Sequence, residues 1–130
     1  MARSRWYTVS LVAQSFFYVA AGVNHFVHSQ TYIAIMPPHY SHPLGWVHFT
    51  GAAEIAGAVG LLIPKTRRVA AWGVIAMLVG YYDVHIYMVT HAADRFATLP
   101  LWALYARLPL QVVLIAWAYV YARRNRAATA

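Results

Sequence analysis

The chain contains no cysteine, which excludes disulfides, thiolate metal sites and CxxC redox chemistry from within it. Charge is almost as scarce. Of 130 residues only 10% are charged while 62% are hydrophobic, against about 25% and 45–50% in soluble domains. A soluble globular protein and a disordered chain are both excluded on these figures. Acidic residues are the rarest of all, being Glu54, Asp83 and Asp94. Positions 6–64 contain neither Lys nor Arg.

What charge there is falls in clusters. Arg3 and Arg5 open the chain, Lys65, Arg67 and Arg68 interrupt it, and Arg123, Arg124 and Arg126 close it. The formal charge of +7 therefore does not describe a nucleic-acid-binding face, where basic and polar residues interleave on one surface, and no nucleic-acid partner is expected. Basic clusters punctuating long apolar runs are the pattern of a membrane protein.

A bilayer core of about 30 Å needs about 20 apolar residues as a helix. Four segments qualify, at about 6–27, 44–63, 69–89 and 99–121. The runs are continuous rather than alternating, which argues against a β-barrel. The fold class expected is all-α: an integral membrane four-helix bundle forming a single transmembrane domain over 1–130. Eight basic residues lie on one side of such a bundle and only Arg95 in the loops on the other, so both termini are predicted to be cytoplasmic. A competing reading takes Arg3, Arg5, the apolar run and Val19-Ala20-Ala21 as a signal peptide, which would leave three spans with unbalanced ends. Pro37, Pro38 and Pro43 predict a non-helical first outer loop, because proline lacks an N–H and restricts its predecessor. Pro109 predicts a kink in the last span. Ala52, Ala56 and Gly60 predict close helix contact along the second span.

Ionisable groups within spans are expensive, so they face the interior, pair, or carry function. At about 1.5 Å rise per residue, His25, His48, Glu54, Asp83, His85, Arg107 and Gln111 all gather in the outer half, while Gln14 is nearly alone in the inner half. His48, Gly51 and Glu54 form a stripe of i+3 steps. Asp83 and His85 are about 200° apart around a helix, so only one can face a shared pocket. Arg107 cannot lose its proton and is expected to find a carboxylate, Asp83 first and Glu54 second. His28, His39, His42 and His91 read as interfacial groups, and the Trp and Tyr residues as an aromatic belt.

The segments FYVAAGVNHF, IMPPHY, HFTGAAEIAGAVGLLIPKTRRVAAWG, IYM and PLWALYARLPLQVVLIAWAYVY resemble, in that order, the DoxX family of small bacterial membrane proteins. The resemblance implies a multi-pass protein of the bacterial inner membrane linked to quinone oxidoreduction. It also implies family-like polar positions at Asn24, His25, Glu54, Arg107 and Gln111. The chain departs from the family at YYDVHIYM, where a Pro-Ala-Asn type tripeptide would be usual and Asp83 and His85 stand instead.

Three functions compete. The first is a redox-linked component that binds a quinone or another lipophilic molecule. In it Glu54, Asp83 and Arg107 are the catalytic candidates, and Asn24, His25, His48, His85 and Gln111 are the binding candidates. The second is a membrane enzyme, an oxidoreductase or an isomerase of a lipophilic substrate. A transition metal or haem would be held by His25, His48 and His85, with Glu54 or Asp83 completing the set; a metal-free acid–base isomerase is a variant. The third is a structural or assembly subunit. Partners expected are the lipid bilayer, a lipophilic small molecule, and a membrane or redox protein or a second copy of the chain.

Overall fold

A computed structural model describes residues 5–123; Arg3, Arg124 and Arg126, counted above in the charge bias, lie outside the described residues. Among those described, the chain forms six α-helices and no strand. They are α1 (Arg5–Val27), α2 (Ser29–Ala34), α3 (Pro43–Leu62), α4 (Arg67–Gly80), α5 (Tyr82–Thr90) and α6 (Leu101–Ala122). The four apolar runs fold as α1, α3, α4 with α5, and α6. Three helices are long and apolar enough to cross a membrane: α1, the α4–α5 rod over Arg67–Thr90, and α6. Helix α3 is 20 residues long, but His48, Glu54 and its four glycines lower its mean hydropathy.

Helix α1 packs on α3, α3 on α4, and α4 and α5 on α6. At the basic end α6 also meets α1: the Tyr7 and Tyr121 rings are edge to face, and the Trp117 indole donates to Ser10 Oγ at 2.8 Å. The main core sits toward that end, around Leu11, Tyr18, Ala58, Leu61, Ala71 and Val74. A smaller cluster of Tyr87, Met88, Phe96 and Leu104 closes the opposite end. Large apolar side chains such as Phe16, Val69, Val112 and Val113 are exposed on the outside, as suits a chain whose surroundings are themselves apolar.

The basic residues of the α3–α4 turn also satisfy helix ends. Arg67 Nε donates to the Leu61 carbonyl at 2.7 Å and Arg68 Nε to that of Ala122 at 3.1 Å. Each closes a carbonyl that a helix C-terminus leaves unpaired.

Two local expectations are corrected. The segment after α1 is not wholly non-helical, because Ser29–Ala34 forms α2 and only 35–42 is irregular. The prolines act on their own neighbours, too far along the chain to reach Ser29. Its hydroxyl donates to the carbonyls of His25 and Phe26 and turns the chain straight into another helix. Of the close contacts expected along α3, that at Gly60 forms and those at Ala52 and Ala56 do not. Ala52 and Ala56 are exposed. Helices α1 and α3 cross where a Cβ on Gly22 would lie 2.7 Å from the Gly51 carbonyl oxygen. Helices α3 and α4 meet where Cβ atoms on Gly57 and Gly60 would lie 2.9 Å from Val74 and 2.7 Å from Ala70.

Candidate functional site

The Gly22–Gly51 crossing brings a histidine of α1 against the glutamate of α3. Val47, Gly51, Glu54, Ala58 and Leu61 are the buried positions of α3, alternating four- and three-residue steps along one face. His25 Nε2 lies 3.2 Å from Glu54 Oε2, and both side chains are almost fully buried. The approach lacks the alignment of a hydrogen bond, which leaves Oε2 without one. Oε1 accepts from the Tyr81 hydroxyl at 3.1 Å. On the far side of the imidazole, Nδ1 is 3.1 Å from the Val47 carbonyl and 3.1 Å from Thr50 Oγ1. That carbonyl can only accept, so Nδ1 carries a proton. Nε2 then faces Oε2 as an acceptor, or as a donor when the ring is charged. Imidazole and carboxylate thus confront each other as a unit able to pass one proton. Tyr32 of α2 stacks on the imidazole at 4.0 Å between centroids and is fixed by Asn24 Nδ2, which donates to its hydroxyl at 2.7 Å.

Beside this pair lies a cavity of about 500 Å³. It forms because α3 and α4 touch at Gly57–Val74 and Gly60–Ala70 and part from there onward. Gly73, Ala76, Met77 and Gly80 of α4 line one wall and Trp46, Phe49, Thr50 and Ala53 of α3 the other. Its deep polar edge is His25, Tyr81, His85 and Arg107, and the 35–42 segment covers it with Met36 and Tyr40. The α3–α4 flank stays open, with Phe49, Gly73, Ala76 and Gly80 exposed.

Among the described residues, the candidate side chains divide as follows. His25 and Glu54 are together; His85 and Arg107 line the same cavity. Gln111 supports the wall from behind, its Nε2 donating to the Leu78 carbonyl at 2.6 Å beside the α4–α5 break. Asn24 acts through Tyr32. His48 does not join them. It is one residue, about 100° of helix, past the buried Val47, and its ring stacks on Phe26 at 5.0 Å. His25, His48 and His85 therefore do not form the predicted metal set, and among the described residues no group of three His, Asp or Glu side chains is close enough to hold a metal ion.

Asp83 is corrected as well. Of the two competing positions His85 turns inward, 8% exposed, and Asp83 turns out. Its Oδ2 accepts from the Tyr40 hydroxyl at 2.6 Å and pairs with His39 Nε2 at 2.8 Å. This fastens the 35–42 segment to α5. The same carboxylate, with some burial, pushes the Tyr40 phenol up to about 12, so Tyr40 remains a donor at neutral pH. Arg107 consequently has neither expected partner. Its guanidinium donates to Met88 Sδ at 2.8 Å, and no ion pair to it forms among the described residues.

Tyr32 and Tyr81 were hidden by the belt reading of aromatic residues, and Thr50 carried no sequence signal. For Tyr81 a signal existed, since it lies four residues before His85 and shares its helix face. The model of a domain of unknown function, DUF8561, matches residues 14–122. No curated protein and no solved structure matches the chain.

Proposed function

The chain belongs to the DUF8561 family, and we propose that it is a four-helix protein of the bacterial inner membrane that binds a quinone, or another lipophilic molecule, as part of a redox-linked system. In this reading α3 is the fourth span, and the DoxX resemblance carries over its quinone link. The observation that carries the proposal is the cavity, apolar on the walls and polar at one edge, in a helical protein with an apolar exterior. Ligand pockets of roughly 300–1,000 Å³ with a few placed polar groups are the general form of small-molecule sites. A quinone carbonyl needs a donor and its reduction needs protons. His85 and Arg107 supply donors, and the His25–Glu54 pair, with Tyr81 bonded to its carboxylate, supplies a proton relay. The open α3–α4 flank would face lipid and admit the molecule sideways. Electrons would come from a partner protein or a bound redox centre, since the chain has no cysteine of its own to carry them.

Leucine at Gly73 tests the pocket. A Cβ there meets nothing within 4 Å, and a non-glycine residue in a helix interior gains up to about 1 kcal/mol of helix propensity. Gly73→Leu should keep the fold and fill the cavity. Binding of a short-chain benzoquinone by the purified protein in nanodiscs should fall at least about tenfold. Unchanged binding would remove the cavity from the proposal.

Orientation follows from the basic end. Arg5, the Lys65–Arg68 turn and Arg123 lie at the end away from the cavity, so both termini are cytoplasmic and the cavity is in the outer half. Reporter fusions after Lys65 and at the C-terminus should both report the cytoplasm; a periplasmic signal at either would invert or break the topology. A second reading, an acid–base isomerase of a lipophilic substrate, is favoured by the 3.2 Å approach of His25 to Glu54 alone.

A further inference from the structure

Resting on the pocket reading above, we infer that the occupant is an amphiphile with a carboxylate head, its negative charge held by Arg107 beside His85 and its apolar body lying along α4 toward the open flank. Arg107 is half-buried on the cavity wall and permanently charged. A cation away from water requires a counter-charge. The three carboxylates of the sequence do not supply it. Glu54 is taken up by His25 and Tyr81, Asp83 by His39 and Tyr40 on the outer side of α5, and Asp94 is exposed in the 91–100 connection. The thioether of Met88 is a weak acceptor and carries no charge. His85 adds a second sign of incompleteness: its Nδ1 is buried without a hydrogen bond, on a side chain more than nine-tenths buried.

The α5–α6 corner of the cavity thus holds a positive charge without a counter-charge, facing a space whose other walls are apolar. A carboxylate is planar and accepts two parallel bonds from a guanidinium. A neutral quinone carbonyl would satisfy one donor and leave the charge of Arg107 unanswered. The apolar walls beyond it, Met36, Trp46, Phe49 and Met77, accept a single alkyl or prenyl chain.

The test is equilibrium binding to the full chain in nanodiscs of neutral lipid, with dodecanoate, its methyl ester and a decyl-substituted benzoquinone as probes. Wild-type protein should prefer dodecanoate over the ester by about tenfold or more, the range of a charge-assisted hydrogen bond. Arg107→Gln should abolish the preference by weakening dodecanoate binding more than ester binding, and Arg107→Lys should retain part of it. The wild-type comparison decides even if Arg107→Gln fails to fold. Equal binding of acid and ester, or an Arg107→Gln protein that still prefers the acid, overturns the inference. Binding of the quinone without dodecanoate overturns it and leaves the pocket reading standing. Binding of none of the three overturns both.

Discussion

Gly22→Val should lose more stability than any other single substitution on the α1 face. A Cβ at position 22 would meet the Gly51 carbonyl oxygen at 2.7 Å and Ile55 Cγ1 at 2.7 Å. Ile55 can change rotamer, but the carbonyl is backbone, so relief comes only by moving α1 off α3. Overpacking of this kind costs about 1–3 kcal/mol when side chains absorb it, and here the upper end or beyond is expected. The same movement separates His25 from Glu54, so the site and the fold should fail together. Denaturation of the purified protein, with Gly73→Val as the control whose added group meets open space, measures the effect. Equal stability of the two variants would mean that α1 and α3 are not in close contact there.

The second large effect is expected from Glu54→Leu. Glu54 is 4% exposed, and its removal leaves the Tyr81 hydroxyl and His25 Nε2 facing hydrocarbon. An ionised pair broken in this way costs about 3–5 kcal/mol, and a neutral one about 1–3 kcal/mol for each stranded group. Glu54→Gln keeps an acceptor for Tyr81 and most of the volume, so it should stay close to wild-type stability. It cannot take a proton from His25, so any proton-coupled turnover should vanish. A double-mutant cycle with Tyr81→Phe should return a coupling of about 0.5–3 kcal/mol, the range for residues in contact. A zero coupling would remove the Tyr81–Glu54 bond from the description.

The helices were legible because apolar continuity over about 20 residues leaves little else to form. Their facing was not. A helix apolar on every side gives no stripe to set its phase, so His48 could be placed with Glu54 at i+6 when the buried register in fact begins one residue earlier, at Val47. The phase conflict of Asp83 and His85 was visible from spacing alone, but its resolution depended on the donors His39 and Tyr40 in a segment that carried no pattern. Arg107 was assigned a carboxylate because only three exist in the chain. Counting charges cannot show that each is already engaged. The Tyr32–His25 stack was invisible because α2 itself was unread behind the prolines.

The contact of Gly60 with Ala70 has a mechanical consequence. It is the fulcrum of a pair of arms, α3 and α4, joined by the turn at 63–66 and spread at the other end. From Ala70 to Gly80 the arm is about 15 Å long at 1.5 Å per residue. A tilt of about 4° at the fulcrum therefore moves the far lip by about 1 Å at that rise. The pair is geared, with the bore of the opening set by how closely two small residues seat against each other at the opposite end of the molecule.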